Sequence, residues 1–220
     1  MKRRKRTNLM KRVIRACMLL ILVVVINQVC TDLLPKTADN DKGWNLMLVN
    51  QSNHIPENYE VSLRKLSNGK QVDERIYNPL VTMLEDGAEE GYYMVVVEAF
   101  RTENEQQILF DEKVQAYINE GYPKIWAKKV AEKWVAVPGT SEHQIGMAVD
   151  INPDYDKSGR EVYEWLANNA HEYGFIRRYP EDKVKITGIM NEPWHYRYVG
   201  ETAAKEIYEQ GICLEEYLKE

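Results

Sequence analysis

TSEHQIGMAVDIN, residues 140–152, sets a histidine and an aspartate seven positions apart around a glycine and an alanine. From Met147 to Ile151 the residue types alternate. Met147, Val149 and Ile151 share one face and Ala148 and Asp150 the other, which is the period of a strand. Asp150 is then a carboxylate within a largely buried strand, a costly position unless it meets a cation or a metal. His143 and Asp150 read as two metal ligands; the structural alternative pairs Asp150 with an arginine such as Arg101.

Outward from this strand the pattern is mixed. Ile76, Leu80, Val81, Leu84 and Ala88 fall on helical spacing between Gln71 and Glu90, and MVVVEAF (94–100) reads as a buried strand. Thr102 and Glu105 form a capping-box pattern that opens a helix to about Asn119, with Gly121 as its stop. Pro123 suits the first turn of another helix through Ile125, Trp126, Val130 and Trp134. EVYEWLANNAHEYGF predicts a helix ended by Gly174, FIRRY a short strand, DKVKITG a turn and strand, and HYRYVG a last strand. With no regular βαβ repeat, the expected class is α+β, a small and partly antiparallel sheet flanked by helices.

The chain has 220 residues, 44% of them hydrophobic, enough for one domain with a real core and some extra sequence. The extra sequence lies at the front. Residues 2–15 carry eight lysines and arginines and no acid, and the apolar run CMLLILVVVI follows from Cys17 to Ile26. Basic then apolar is the order of an export signal or a membrane anchor. NQVCTDLLP offers bulky residues where a signal peptidase wants small ones, which favours an uncleaved anchor over a cleaved signal peptide or a lipidated Cys30. The expected organisation is a basic cytoplasmic tail at 1–12, a signal anchor in the lipid bilayer at 13–30, a linker at 31–44, and an extracellular domain at 45–220. Localisation at the cell membrane, single-pass, follows from it, and a monomer is expected.

Taking the eight basic residues away from a net charge of −5 leaves −13 for the remainder, which argues against nucleic-acid binding. Three cysteines without a C-x-x-C make neither a disulfide framework nor a thiolate metal site.

A zinc site that hydrolyses a bond needs three nitrogen or oxygen ligands and one open position. His195, in NEPWHYRY, is the third candidate beside His143 and Asp150. Pro193 discourages a helical conformation at Glu192, so this is not a helical H-E-x-x-H site. On an extended backbone Glu192 can take the proton from a metal-activated water and return it to the leaving amine. Arg101, at the end of the MVVVEAF strand, can stabilise charge on the carbonyl oxygen. Each residue alone also reads as an ordinary structural histidine or a surface arginine, and His54 and His171 read as structural.

Competing motifs are incomplete. Ser62-Leu63-Arg64-Lys65 matches S-x-x-K, but K-T-G and S-D-N are absent. GTSEH fails G-x-S-x-G. The DYDKSG segment has Trp165 where a calcium loop needs glutamate, so it reads as a solvated turn.

The segments SEHQIGMAVD (141–150) and EPWHYRYVG (192–200) resemble the two signature segments of the VanY-type zinc D-alanyl-D-alanine carboxypeptidases. FRTENEQ (100–106) is similar to that family's third segment, with Phe100 for tyrosine and Thr102 for serine. Three segments in order are far more specific than one motif.

The resemblance, over roughly residues 46–210, implies the compact α+β fold shared with the hedgehog signalling domain. It implies one Zn2+ held by His143, Asp150 and His195, Glu192 as catalytic base, Arg101 polarising the scissile carbonyl, and Ser141, Gln106 and Tyr179 at substrate-binding positions. The implied substrate is a peptidoglycan stem peptide or precursor with a free C-terminal D-alanine. An L,D-carboxypeptidase acting on tetrapeptide stems, or a non-catalytic zinc module that binds peptidoglycan, are the alternatives.

Overall fold

The computed structural model describes Met18, Ile21 and residues 35–39, 41–154 and 159–219. The basic tail, the rest of the expected anchor, Cys30 and most of the DYDKSG turn lie outside the described residues. Among the described residues no helix is long and apolar enough to cross a membrane. The chain divides into two units, Met1–Lys36 and Thr37–Glu220, and the second contains the sheet and its helices.

After a 3-10 turn at Trp44–Leu46 and a two-residue strand at Asn53–His54, that unit forms a hairpin, β1 (Leu63–Lys65) and β2 (Gln71–Asp73), which leads into α1 (Glu74–Glu89). There follow β3 (Met94–Glu98), α2 (Glu103–Asn119), α3 (Lys124–Ala131), β4 (Ala148–Pro153), α4 (Gly159–Asn169) and β5 (Phe175–Tyr179). A helical turn α5 (Val184–Thr187), β6 (Glu192–Tyr198), α6 (Glu201–Gln210) and α7 (Leu214–Tyr217) complete the order. The main sheet runs β3-β4-β6-β5, and every neighbouring pair is antiparallel. The fold is α+β as expected, and its main sheet is wholly rather than partly antiparallel, because no parallel crossover occurs within it.

The local signals act where the sequence puts them. Thr102 Oγ1 accepts from the Glu105 amide at 3.3 Å while Glu105 Oε2 accepts from the Thr102 amide at 2.8 Å, so two otherwise unpaired donors are satisfied and α2 starts there. Asp73 caps α1 by accepting from the Arg75 amide at 2.9 Å. DKVKITG is a correction: Glu181–Lys183 forms a 3-10 turn and Val184–Thr187 a helical turn, closed by Gly188 in the left-handed conformation. Ile186 of this segment stays exposed, so no sheet face is there to receive it.

Ile76, Leu80 and Met83 of α1 are fully buried against Val96, Val149, Ile151 and Tyr196 of the sheet and against Val162 and Leu166 of α4. Each such aliphatic side chain contributes about 2 kcal/mol by leaving water. On the other side Ile176 and Val199 pack on Ala203, Ala204 and Ile207 of α6 and on Leu214 of α7. Val149, Ile151 and Tyr196 point into the first core, so their neighbours Asp150 and His195 project from the opposite face of the sheet, where the site lies.

Gly146 joins the SEHQI turn to β4. Its φ is +71°, a left-handed value that strains any side chain, and a Cβ there would lie 3.0 Å from the Asp73 amide nitrogen. The glycine serves this turn and the Asp73 amide, which donates to the Gly146 carbonyl at 3.0 Å.

Candidate metal centre and cleft

The register of the sheet assembles the centre. β4 and β6 pair so that Asp150 stands directly opposite His195, with Val149 opposite Tyr196 and Ala148 opposite Arg197. Glu98 of β3 stands opposite Asp150 on its other side, after an irregularity at Val96–Glu98. Asp150 Oδ1 lies 2.9 Å from His195 Nδ1 and 3.4 Å from His143 Nε2. His143 comes from the 3-10 turn Glu142–Ile145, which is fastened to the end of β3. There the Arg101 amide donates to the His143 carbonyl at 3.2 Å and His143 Nδ1 donates to the Ala99 carbonyl at 2.7 Å.

That last bond decides the tautomer. A neutral imidazole has one N–H, so donation from Nδ1 leaves Nε2 of His143 as the free lone pair facing Asp150. One ligand atom from each of His143, Asp150 and His195 falls within 4.8 Å of the others. In a tetrahedral zinc site with bonds of about 2.0–2.2 Å, neighbouring ligand atoms stand roughly 3.4 Å apart. Two imidazoles and a carboxylate are also the donor types of catalytic zinc. The residues present therefore fit the ion.

Burial works against charge on Asp150, yet the fields and hydrogen bonds of His143 and His195 outweigh it and hold the carboxyl well below its ordinary range. Burial likewise opposes charge on His195, while hydrogen bonds to Asp150 and Glu142 raise its pKa to about 9. Asp150 meets histidines, not Arg101, which removes the arginine alternative for its partner.

Glu192 opens β6, extended as Pro193 requires, and stands opposite Tyr179 of β5. Its Oε2 is 3.9 Å from His195 Nδ1. Burial pushes its carboxyl up to about 7, with Asp150 acting in the same direction and His195 and Arg101 against it. Arg101 Nη1 donates to Gln106 Oε1 at 2.6 Å and Nη2 lies 3.4 Å from Glu98 Oε2. The other end of the Gln106 amide donates to the Ala136 carbonyl at 2.6 Å. Gln106 thus ties the guanidinium to the cleft wall.

These side chains meet in one cleft of about 170 Å³, lined by Arg101, Gln106, Ser141, Glu142, His143, Asp150, Tyr179, Glu192 and His195, with Leu109, Trp134, Val135, Ala136, Ile189 and Trp194 as its apolar parts. The Tyr179 ring packs against His195 at 4.9 Å between centroids, and the His143 and His195 rings meet edge to face at the same separation. All eight residues singled out from the sequence are therefore brought together. His171 stacks on Tyr208 away from the cleft, in keeping with a structural role.

The sequence reading missed a buried charge cluster beside the centre, of which Glu142 also lines the cleft. Glu142, Arg178 and Arg197 have fully buried side chains. Glu142 Oε1 accepts from Arg178 Nε at 2.8 Å and from Arg197 Nη1 at 2.9 Å. Arg178 also grips Glu215 of α7 through two bonds of 2.8 and 2.6 Å. The available signal was an arginine in each of two core strands, FIRRY and HYRYV, since a buried arginine requires an acid close by.

A family model described as D-alanyl-D-alanine carboxypeptidase, VanY, matches residues 69–201. A D-alanyl-D-alanine carboxypeptidase of Enterococcus faecalis is 53% identical over 184 residues, covering 83% of this chain and 69% of that protein. Among solved structures, vancomycin resistance D,D-pentapeptidase VanY from a VanB-type resistance cassette, in complex with Zn(II), superposes with a TM-score of 0.78 at 55% identity. The match covers 80% of this chain and 99% of that one. VanYB in complex with D-alanine-D-alanine gives a TM-score of 0.79 at 54% identity, over 80% of this chain and 98% of that one.

Proposed function

The chain belongs to the VanY family of D-alanyl-D-alanine carboxypeptidases, and from that premise we propose that it removes the C-terminal D-alanine of peptidoglycan stem peptides with Glu192 as general base. It is a zinc carboxypeptidase that takes one Zn2+. The observation that carries the reading is the meeting of His143, Asp150 and His195 within 4.8 Å in a cleft that also holds Glu192 and Arg101.

Held by those three side chains, the ion supplies Lewis acidity that makes a water a better nucleophile and draws electron density from the scissile carbonyl. Glu192 takes the proton from the attacking water and delivers it to the leaving D-alanine nitrogen, so one carboxylate serves both halves of the reaction. Its place 3.9 Å from a ligand nitrogen of His195 suits that reach. Arg101, fixed by Gln106 and Glu98, offsets negative charge on the carbonyl oxygen as the tetrahedral centre forms. Ser141 and Tyr179 line the same cleft and bring hydroxyls suited to the peptide backbone and terminal carboxylate. Trp134, Trp194 and Ile189 give the same cleft apolar walls.

The basic and apolar segment at residues 2–30 supports anchoring in the cell membrane with the catalytic unit outside, where stem peptides are exposed. Incubation of the zinc-loaded enzyme with defined pentapeptide and tetrapeptide stems, followed by mass measurement of the products, tests the reading. Loss of one alanine from the pentapeptide, with the tetrapeptide left intact, is expected. Trimming of the tetrapeptide alone identifies an L,D-carboxypeptidase and overturns the D,D assignment.

A further inference from the structure

His195 is asked to do two things with one ring. To face His143 and Asp150 with a lone pair, its Nδ1 must be unprotonated, and the N–H of the neutral ring then sits on Nε2. On so buried a ring that N–H needs an acceptor. The structure supplies one: Glu142 Oε2, 3.5 Å away.

Glu142 is unusually well fixed for this. Both of its bonds to arginine, from Arg178 Nε and Arg197 Nη1, go to the same oxygen, Oε1. Oε2 is left to face the ring. The arginines are held in turn. Arg197 Nη2 donates to the Met47 carbonyl at 2.9 Å and its Nε to the Tyr198 carbonyl at 3.0 Å. Arg178 is clamped by Glu215, so two acids and two arginines form a cluster without net charge. Such closure is what makes a buried carboxylate tolerable at this depth.

We propose that Glu142 is a positioning residue for the metal centre: by accepting the Nε2–H of His195 it selects the tautomer and ring plane that turn Nδ1 toward Asp150 and His143. Metal-binding histidines generally donate their second N–H to a carboxylate or carbonyl, which fixes the ring and strengthens the ligand. Here the two histidines use different acceptors. His143 uses the Ala99 carbonyl and binds through Nε2; His195 uses Glu142 and binds through Nδ1. The inference rests on the zinc assignment above but not on Glu192 acting as base.

The test is zinc affinity, read by competition with a chromophoric chelator and independent of turnover. Glu142→Gln is expected to weaken zinc binding by about 10- to 100-fold. Glu215→Gln removes a partner of Arg178 without touching His195, and is expected to lower the melting temperature while keeping zinc affinity within about threefold of the parent, since Arg197 still holds Glu142. Equal zinc affinity in Glu142→Gln and the parent, or equal weakening in both variants, overturns the proposal. Should Glu142→Gln not fold, nitrogen-15 spectra of the zinc-loaded parent decide. A slowly exchanging proton on His195 Nε2 supports the assignment, and a proton exchanging with water as in a free imidazole refutes it. Altered zinc affinity beside an active Glu192→Gln variant leaves this proposal standing while the general-base reading fails.

Discussion

Asp150 and His195 face each other across two antiparallel strands, with Oδ1 of one 2.9 Å from Nδ1 of the other. A single hydrogen-bond register therefore sets the spacing of two of the three ligands, and a one-residue slip turns one of them to the opposite face of the sheet. The third ligand is set by the Ala99 carbonyl. Asp150→Ala is expected to abolish zinc retention while leaving the far-ultraviolet circular dichroism of the fold in place. Metal analysis after dialysis checks this, and a variant that keeps one zinc per chain rules Asp150 out as a ligand.

Arg101 acts, on this geometry, only once negative charge grows on the carbonyl. Arg101→Ala should lower kcat by about 10²- to 10³-fold, with zinc content unchanged. Arg101→Lys restores little, because a lysine cannot reproduce the fork that meets Gln106 and Glu98 together. Steady-state kinetics with zinc analysis of the same samples separates this from loss of metal.

How much of this was legible in the sequence depends on the range of the interaction. The capping box at Thr102 and Glu105 and the alternation at Met147–Ile151 are local, and both hold in the fold. The DKVKITG segment departs from the expected turn and strand because a strand forms only where a sheet waits to bury one face, and Ile186 has none. His143, Asp150, His195, Glu192 and Arg101 were legible as chemistry, by residue type and by resemblance. The pairing of Glu142 with Arg178 and Arg197 spans 36 and 55 positions. No local pattern announces it, since only the packed sheet brings those strands and the SEHQI turn together.

The buried pair of Glu215 and Arg178 makes stability pH-dependent. Burial opposes charge on Glu215, but Arg178 outweighs it and the carboxyl is held below its ordinary value. A depressed folded pKa means that the contribution is complete above the unfolded value of about 4.3 and is lost as pH falls through the folded one. Glu215→Gln should cost about 3 kcal/mol near neutrality, since it leaves a buried arginine short of a partner. The gap should narrow below about pH 4. Urea unfolding in the presence of a chelator, so that zinc release does not enter, measures both; a gap independent of pH contradicts the assignment.

Gly146→Ala places a Cβ 3.0 Å from the Asp73 amide nitrogen at a φ of +71°. A loss of about 2 kcal/mol of stability is expected. Thermal unfolding checks it, and an unchanged melting temperature means that the turn can relax.

Ser62 is exposed and lies outside the cleft, and its carbonyl caps the start of α1 by accepting from the Glu74 amide at 2.8 Å. A β-lactam should therefore neither acylate the protein nor slow D-alanine release, as intact-mass measurement after incubation with penicillin will show. Stoichiometric acylation at Ser62 points instead to a serine peptidase.

Glu192→Gln offers the sharpest test, because it removes the base while keeping its volume and leaving His143, Asp150 and His195 in place. Zinc content and D-alanine release from a pentapeptide stem are measured on the same preparation. One zinc per chain with release slowed by at least about 10³-fold is the expected result; release within about tenfold of the parent enzyme, with zinc bound, contradicts Glu192 as the general base.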